Sequence, residues 1–594
     1  MKRFLSLLLC VTLLATMAAM PALAESLYTA GTYMAAARGN NGDVTVEVTF
    51  SDSAITEVVV TAHEETPGLS DPAISGIPEA IKAQQSLAVD TVSGATNTSK
   101  AILAAVEDCV KQAGADPEAL KVVTEAEVSA KTEEEQTSDV LVVGGGIAGL
   151  TAAMSAAENG ASVILIDKMP AVGGTTALAG GYLICVDSQL YDGEHLDFDS
   201  VESMLAYWEG RMAYSGVENE YPDWERLEGV IAETGATVDW LGENGVPWGE
   251  SCFVYFGGYP AAACDGLGAN LVAKLLEACQ AKGVTVLTGC KAEKLLTEGD
   301  AVVGAVAETD SSVITFHAKS VVLATGGISQ NEELVAQYSP KVAQAGVIPT
   351  SAVSNTGDGL LMALEVGAGT FDTFATAINN ICVDPALTAA VADASALQAV
   401  AQLGVNAKGE RFTNEAAGAS FGTYDQTASD MIQDGNAPFW FLYDAANEDV
   451  TAILEAGVAA GIVAKGETIA DLAAAMNVDA AALAATYARY SELVAAGEDS
   501  DFGKDASMLV AIEKAPFYAV KFYPTTFGSV GGVMTTDQGR VQKADGAVIP
   551  GLYAAGEMSN RYYYNENYIL AASLGLYSTM GRRAGAAAAA DALQ

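Results

Sequence analysis

The first hundred residues of the chain carry an alternating pattern of apolar and polar positions. Val44 to Phe50 and Ile55 to Thr61 alternate with a period of two, and Ser51 to Ser53 supplies a turn signal between them. This pattern is typical of two half-buried strands joined by a short loop. Ser99 to Gln112 is instead typical of a helix. We therefore expect a small α+β domain over residues 25–113.

The remainder of the chain contains apolar runs of a different kind. Val140 to Val143 and Val163 to Ile166 are unbroken, and an alanine-rich, helix-like segment separates them. Such runs are typical of strands buried on both faces of a parallel sheet. Lys319 to Gly327 and Ile549 to Glu557 each add a strand that ends in a glycine turn. These features predict an α/β fold.

Composition divides the chain further. Residues 114–137 are polar and charged, which predicts a solvated linker between the two domains. Residues 371–516 are alanine-rich and interrupt the α/β pattern. We therefore expect the α/β domain in two parts, residues 138–370 and 517–594, with 371–516 inserted between them.

The N-terminus has the three parts of a secretory signal peptide. Lys2 and Arg3 precede an apolar run, and Ala22-Leu23-Ala24 offers small residues before Glu25. We expect residues 1–24 to be removed and the protein to be exported to the periplasm or cell surface; an uncleaved membrane anchor is the alternative. The formal net charge of -46 repels polyanions, which argues against nucleic-acid binding.

Cysteine usage argues against several classes of redox centre. Of the eight cysteines, Cys10 lies in the apolar run of the signal peptide and no two form a CxxC pair. This pattern supports neither a disulfide framework, an iron–sulfur cluster nor a haem attachment site, and we expect no metal. The other seven are scattered: Cys109, Cys185, Cys252, Cys264, Cys279, Cys290 and Cys382.

The turn after the first unbroken run has the chemistry of a dinucleotide site. Gly144, Gly146 and Gly149 stand at GxGxxG spacing, which permits a strand-to-helix turn, close approach of backbone to a pyrophosphate and tight packing of helix on strand. Asp167 ends the second run, where its carboxylate can accept a hydrogen bond from a ribose hydroxyl. A glycine turn without function is the alternative, but strand, turn, helix, strand and acid in this order favour a nucleotide site.

Gly173-Gly174-Thr175-Thr176 resembles the FAD loop of the fumarate reductase and succinate dehydrogenase flavoprotein family. The resemblance implies a Rossmann-like FAD-binding domain with an inserted α+β capping domain, residues 371–516. It implies non-covalent FAD, because no histidine follows the glycine pair, and a contact of Glu557 with the ribityl chain. The positions matched to FAD are Gly144, Gly146, Ala148, Gly149, Asp167, Lys168, Gly173, Gly174, Thr175, Thr176, Gly180, Gly181, Thr325, Gly326, Gly327, Asp358, Glu557, Ser573 and Leu574.

Asp90-Thr-Val-Ser-Gly-Ala-Thr96 resembles the D-x-x-S-G-A-T flavinylation motif of small FMN-binding domains. The resemblance implies FMN attached covalently to Thr96 by a separate flavin transferase. A hydroxyl on a turn at a helix start is accessible to such an enzyme, and the helix dipole favours the added phosphate. An ordinary helix cap is the alternative explanation of these residues.

Two tyrosines stand where fumarate reductases have arginines. Counted from the family's landmarks, the proton-donating position falls on Tyr424 and the carboxylate-clamping position on Tyr568, and the substrate histidines are missing. The tyrosines resemble those of relatives that act on ketosteroids. That resemblance implies that Tyr424 donates a proton, while Tyr568 and the backbone near Ala572 polarise a substrate carbonyl. Packing of both rings in the core is the alternative.

Arg561, followed by three tyrosines, is a further candidate for substrate binding. Its guanidinium could bind a carboxylate, and the rings could stack on an aromatic substrate. A cluster that packs on a neighbouring helix at the rim of the site fits the sequence equally well.

Together these features predict an exported flavin reductase that saturates a carbon–carbon double bond conjugated to a carbonyl or carboxylate. Electrons would pass from FMN through FAD to a small unsaturated substrate, and a surface or membrane redox protein would donate them, since no NAD(P)H-binding half is apparent. The alternatives are a ketosteroid-type dehydrogenase running in the oxidative direction, a fumarate or urocanate reductase, and a non-enzymatic electron carrier.

Overall fold

The computed structural model describes residues 27–65, 70–89, 91–92, 95–121, 131–191, 199–213, 220–249, 253–255, 259–400, 402–415, 424–566, 568–569 and 571–594. The chain divides into two compact units, one up to Val128 and one from Ser129 to Gln594. The predicted signal peptide lies outside the described residues, as do Asp90, Ser93 and Gly94 of the flavinylation motif.

The N-terminal unit is a three-stranded antiparallel sheet on which two helices pack. Its strands are β1 (Gly31–Arg38), β2 (Asp43–Phe50) and β3 (Ile55–Ala62), in that order, and its helices are α1 (Asp71–Gln84) and α2 (Thr96–Gln112). Val44, Val46 and Val48 point into the core and are fully buried. The predicted pair of strands is confirmed, and the helix predicted from Ser99 already begins at Thr96.

The second unit contains the remaining strands and helices. The strands are β4 (Thr132–Val143), β5 (Val163–Ile166), β6 (Tyr182–Ile184), β7 (Phe253–Tyr255), β8 (Tyr259–Ala263), β9 (Thr285–Leu287), β10 (Lys291–Glu298), β11 (Ala301–Glu308), β12 (Ser312–Leu323), β13 (Ile348–Pro349), β14 (Ala375–Val383), β15 (Leu403–Val405), β16 (Phe439–Asp444), β17 (Ala464–Gly466), β18 (Phe517–Val530), β19 (Arg540–Gln542) and β20 (Val548–Ala554). The helices are α3 (Ile147–Glu158), α4 (Gly174–Leu178), α5 (Val201–Ala213), α6 (Trp224–Ile231), α7 (Thr234–Glu243), α8 (Leu267–Ala281), α9 (Glu332–Tyr338), α10 (Pro340–Gln344), α11 (Asp358–Glu365), α12 (Pro385–Ala390), α13 (Tyr424–Asp434), α14 (Glu448–Ala459), α15 (Ile469–Met476), α16 (Ala480–Ala496) and α17 (Ala572–Ala592).

The larger sheet of this unit has the strand order β10-β11-β12-β4-β5-β9, and β20 pairs with β12. The pairs β4–β5, β5–β9, β4–β12 and β12–β20 are parallel. Helix α3 connects β4 to β5 and packs along α17. The predicted α/β class is confirmed, because the unbroken apolar runs of β4 and β5 form central, fully covered strands.

A second sheet has the order β13-β18-β16-β15, with β14 and β17 also paired to β18. The predicted boundary at residues 516 and 517 therefore does not follow the sheets. Strand β18, expected to open the last FAD-binding segment, is the central strand of the inserted region. Its far end reaches Ser529, which places this long strand beside the site described below.

The predicted linker is shorter than expected. Residues 132–137 belong to β4 and pair in parallel with Ser312 to His317 of β12, although Glu133 to Glu135 are exposed. Leu120 accepts backbone and side-chain hydrogen bonds from Leu87 and Ser86. The polar composition of these segments reflects exposed side chains, so the linker prediction was wrong for them.

No helix among the described residues is both long and apolar enough to cross a membrane.

Candidate active site

The glycine turn after β4 has the geometry of a pyrophosphate site. Gly144 adopts a left-handed φ of 103°. A Cβ on Gly149 would lie 1.8 Å from the carbonyl oxygen of Gly144, so α3 can pack against the turn only with glycine at this position. The helix begins at Ile147 directly after the turn, and a helix N-terminus presents free N–H groups to an anion.

Asp167 follows β5 and braces this turn. Its buried carboxylate accepts the N–H of Gly145 at 2.7 Å and that of Met169 at 2.8 Å. Burial raises the pKa of Asp167, against the opposing effect of these N–H donors. The carboxylate also borders the adjoining cavity, so contact with a ribose hydroxyl stays a prediction that the geometry permits.

A cavity of about 380 Å³ opens beside the turn. It lies at the carboxyl ends of parallel strands β4 and β5, where α/β folds bind nucleotides. Fifteen predicted FAD positions line it: Gly144, Gly146, Ala148, Asp167, Lys168, Gly174, Thr175, Thr176, Gly180, Thr325, Gly326, Asp358, Glu557, Ser573 and Leu574. The structure thus brings together segments that are separated by more than 400 positions in the sequence.

The other four predicted FAD positions shape the walls of the cavity instead. They are Gly149, Gly173, Gly181 and Gly327. Gly173 and Gly181 adopt left-handed φ values of 131° and 73°. A Cβ on Gly327 would lie 2.0 Å from Oε1 of Glu557. These glycines allow the surrounding segments to approach each other closely.

Both lysines in the described lining of the cavity are already paired with carboxylates. Lys168 Nζ lies 2.6 Å from Asp358 Oδ2 and donates to the Thr356 hydroxyl at 2.6 Å. Lys291 Nζ lies 2.9 Å from Glu293. Neither lysine is therefore a free cation for a bound carboxylate.

Glu557 offers an acceptor deep in the cavity. Its carboxylate accepts the N–H and hydroxyl of Ser529 at 2.6 and 3.0 Å, and Asn355 Nδ2 at 3.1 Å. Burial nevertheless raises the pKa of Glu557 to about 7. A buried acid surrounded by neutral donors fits the hydroxyls of a ribityl chain. Together with the glycine turn, it makes these residues a good fit to FAD.

Aromatic side chains line another part of the cavity. The rings of Phe527 and Tyr568, both in the lining, have centroids 6.0 Å apart, and Tyr564 packs behind Tyr568 at 5.3 Å. Tyr568 is 7% exposed, and its hydroxyl lies 2.5 Å from Ser573 Oγ. This part of the cavity can hold a flat, largely apolar molecule beside one phenolic hydroxyl.

An amide that the sequence does not signal also lines the cavity. The pairing of β14 with β18 is irregular between Ile378 and Ile381. The neighbouring Asn380 is held there by its side-chain Oδ1, which accepts the N–H of Ile381 at 2.7 Å and Gln398 Nε2 at 3.1 Å. Asn379 lines the cavity and donates weakly to Thr350 Oγ1 at 3.4 Å. Sequence analysis missed it because no residue type marks this bulge.

The predicted catalytic groups lie in different positions relative to the cavity. Tyr424 is the first residue of α13, and its side chain lies outside the described residues. Ala572 is fully buried at the start of α17, where its N–H donates to the Ile569 carbonyl oxygen at 3.2 Å. This geometry does not present the Ala572 N–H to a substrate. Of these groups, Tyr568 alone is described within the cavity lining.

Arg561, the predicted carboxylate-binding residue, makes its contacts outside the described lining of the cavity. The side chain is 3% exposed, donates to the carbonyl oxygens of Tyr564 and Asn565 at 3.2 and 2.7 Å, and stacks on Tyr221. It lies outside the described lining of the cavity. These contacts favour the competing explanation, packing near the rim, because Nη1 holds the chain after Glu557; carboxylate binding by Arg561 stays a prediction.

Thr96 is the first residue of α2 in the N-terminal unit and is half-buried. Two residues later, the Thr98 hydroxyl donates to the buried carboxylate of Glu65, which also accepts the N–H of Asn41 at 2.8 Å. These bonds tie the start of α2 to the loop between β1 and β2. The placement at a helix N-terminus is compatible with a phosphoester on Thr96.

Comparisons with known proteins match both units. A family model described as an FAD-binding domain matches residues 139–572, and one described as an FMN-binding domain matches residues 39–111. The predicted cofactors, FAD and FMN, are thereby confirmed.

Two curated relatives align with most of the chain. It is 29% identical to NADH:acrylate oxidoreductase of Vibrio harveyi, with 90% of this chain and 58% of that relative covered. It is 31% identical to urocanate reductase of Eggerthella lenta, with 93% and 91% covered. The chain thus spans little more than half of the first relative and nearly all of the second.

A solved structure shares the fold of the larger unit. This structure is the 3-ketosteroid-Δ4-(5α)-dehydrogenase of Rhodococcus jostii RHA1 in complex with 4-androstene-3,17-dione. It superposes with a TM-score of 0.57 at 25% identity and covers 79% of this chain and 100% of its own.

Proposed function

Because the chain belongs to this FAD-binding family, we propose that it is a flavin-dependent reductase that saturates a carbon–carbon double bond activated by an uncharged carbonyl. The relatives named for acrylate and urocanate support reduction of a conjugated double bond. The dehydrogenase structure with a bound steroid dione supports a ketone in the site. When bound, FMN and FAD supply the electrons and the hydride.

The proposal of an uncharged carbonyl rests on the ion pairs that the arginines make and on the residues that line the cavity. Arg411 is buried between Glu415 and Asp499, with contacts of 2.8 Å to each. Arg226 contacts Asp537 at 3.0 Å, and Arg583 contacts Glu233 at 2.7 Å. Among the described residues that line the cavity, none is arginine or histidine. Among these described residues a substrate carboxylate would therefore meet no unpaired cation in a low-dielectric site, which is unfavourable.

The chain supplies the polar chemistry through Tyr568. A phenol with an ordinary pKa near 10 is protonated at neutral pH and can donate to a carbonyl oxygen as negative charge develops there. The neighbouring rings of Phe527 and Tyr564 exclude water, which strengthens that hydrogen bond. Tyr424, at the start of α13, is proposed to deliver the proton to carbon.

A carboxylate-bearing substrate is the second candidate. Two observations favour it: both curated relatives are named for unsaturated acids, and the amide of Asn379 lines the cavity. An amide can bind a carboxylate by hydrogen bonds without neutralising it. The two candidate substrate classes differ in the charge of the group that activates the double bond. A matched pair of substrates can test this difference.

We also propose the route by which electrons arrive. FMN is attached to Thr96 by a flavin transferase, and a surface or membrane redox protein reduces it outside the cytoplasm. The motif at Asp90 to Thr96, the FMN-binding match and the signal-like N-terminus support this arrangement.

The role of Tyr568 is tested by Tyr568→Phe. Because one hydrogen bond to the developing oxyanion is lost, formation of cyclohexanone from cyclohex-2-enone should slow by about 100-fold, while dithionite still reduces both flavins. Tyr487→Phe is the matched control, since its hydroxyl donates to Ile512 in the inserted region, away from the cavity. Equal rates for Tyr568→Phe and wild type would refute the assignment.

A further inference from the structure

Asn379 is an amide of the cavity lining whose hydrogen-bonding capacity is almost unused. An asparagine side chain carries two N–H donors and a carbonyl oxygen with two acceptor positions. Among the described residues, Asn379 makes one side-chain hydrogen bond, from Nδ2 to Thr350 Oγ1 at 3.4 Å, which is long for such a bond. Asn355, the other amide in the described lining, donates instead to Glu557 at 3.1 Å. Asn379 therefore retains polar groups that can meet a bound molecule.

Thr350 determines which end of this amide faces it. The Thr350 hydroxyl donates its single proton to the Thr526 carbonyl oxygen at 2.9 Å, so toward Asn379 its oxygen can only accept. The group beside Thr350 is therefore Nδ2. This leaves the Asn379 carbonyl oxygen and the second N–H of Nδ2 as an acceptor and a donor side by side.

The backbone that carries Asn379 is braced at the next residue. The Asn380 N–H donates to Thr525 Oγ1 at 3.1 Å, and the Thr525 hydroxyl donates back to the Asn380 carbonyl oxygen at 3.0 Å. Together with the hydrogen bonds of the Asn380 side chain, this pair holds the bulge of β14 against β18. Because the backbone is already ordered, binding through Asn379 costs less conformational entropy than binding through a loose loop.

The strand register places Asn379 on a wall of the cavity that carries an aromatic ring. Ala377 and Asn379 are two residues apart on β14, and alternate residues of a strand point to the same face. Ile378 pairs with Thr526 of β18, so Asn379 and Phe527 each lie one residue from this pair on adjoining strands. Ala377, Asn379 and Phe527 all line the cavity. A flat molecule that packs on Phe527 therefore brings its edge within reach of Asn379.

We propose that Asn379 is a specificity-determining residue that binds a second, uncharged polar group of the substrate, one that both donates and accepts hydrogen bonds. This inference rests on the proposed reductase function and deepens it by naming the substrate class, an aromatic enone with a hydroxyl group on its ring. A hydroxyl pairs with both the acceptor and the donor of the amide. A carboxylate only accepts, and it would leave the Asn379 carbonyl oxygen facing an anion.

The experiment uses the oxidised full-length protein with both flavins and saturated ketones, which bind without reacting. Dissociation constants come from the change in the visible flavin spectrum. Wild type should bind 4-phenylbutan-2-one with a meta or para hydroxyl about tenfold more tightly than the unsubstituted ketone, because one group completes two hydrogen bonds. The same ketone with a meta or para carboxylate should show no such gain.

Asn379→Leu, which is of similar size, should keep FAD and lose this preference, so that the hydroxylated and unsubstituted ketones bind within about twofold of each other. Asn270→Leu is the matched control. This partly exposed amide of α8 donates to the Asp265 carbonyl oxygen at 2.7 Å and lies outside the described lining of the cavity. The control should bind both ketones as wild type does.

Equal binding of the hydroxylated and unsubstituted ketones by wild type would overturn the assignment, as would an equal gain from the carboxylate or a preference that survives in Asn379→Leu. Loss of FAD from Asn379→Leu, but not from Asn270→Leu, would assign the amide to the cofactor and also overturn it. If the preference depends on Asn379 while dithionite-reduced wild type saturates neither matching enone, recognition by Asn379 stands and the reductase function fails.

Discussion

At the scale of single residues, Glu557 links the site to the stability of the fold. Its folded pKa of about 7 lies above the ordinary value of 4.5, so the folded state binds this proton more tightly than the unfolded state does. Protonation of Glu557 therefore makes its full contribution to the unfolding free energy of FAD-free protein below pH 4.5, and this contribution is lost as the pH rises through 7. The expected loss is up to about 3 kcal/mol.

Denaturant unfolding of FAD-free wild type and Glu557→Gln between pH 4 and 8 measures this effect. The glutamine cannot ionise, so the variant should lack the part of the pH dependence that is due to Glu557. Parallel pH profiles for the two proteins would contradict the assignment.

The residues of the site were predictable to different degrees. The glycines and Asp167 stand in a pattern whose chemistry requires those residue types, and Tyr568 could be counted from landmarks of a resembling family. The sequence left the role of Arg561 open, because composition does not reveal that backbone carbonyl oxygens accept hydrogen bonds from its guanidinium.

At the scale of elements, the contact between α3 and the glycine turn can be tested by adding one methyl group. Gly149→Ala places a Cβ 1.8 Å from the Gly144 oxygen, so the variant should unfold more easily by about 3 kcal/mol and lose FAD. Gly210→Ala is the control, since a Cβ there meets nothing within 4 Å and the residue lies in helix α5. That variant should be more stable by up to about 1 kcal/mol. Denaturant unfolding and flavin content measure both, and equal behaviour of the pair would contradict the packing argument.

Sequence patterns identified strands β4 and β5 because burial on both faces makes them continuously apolar. They did not identify the first half of β4, because its exposed glutamates give no apolar pattern although its backbone pairs regularly with β12. They also misplaced β18, because pairing with strands distant in sequence, and not local composition, assigns it to the inserted sheet. Nor does any local signal mark the bulge that presents Asn379.

At the scale of the whole molecule, the proposed electron route requires two flavins with different attachments. Thr96→Ala should abolish protein-bound FMN while FAD is retained, since only the hydroxyl of Thr96 can form the phosphoester. Thr91→Ala, an exposed threonine of the same segment, should keep both flavins. Intact mass and flavin content after denaturation give the result. Covalent FMN on Thr96→Ala would place the attachment elsewhere.

The proposed function requires that the substrate's activating group is an uncharged carbonyl. Its most direct measurement is anaerobic reoxidation of the dithionite-reduced protein by cyclohex-2-enone and by acrylate at equal concentrations, followed by stopped-flow absorbance of the flavins. We expect the enone to reoxidise the protein at least tenfold faster than acrylate and to yield cyclohexanone. Faster reoxidation by acrylate would contradict it and would assign a carboxylate substrate to this site.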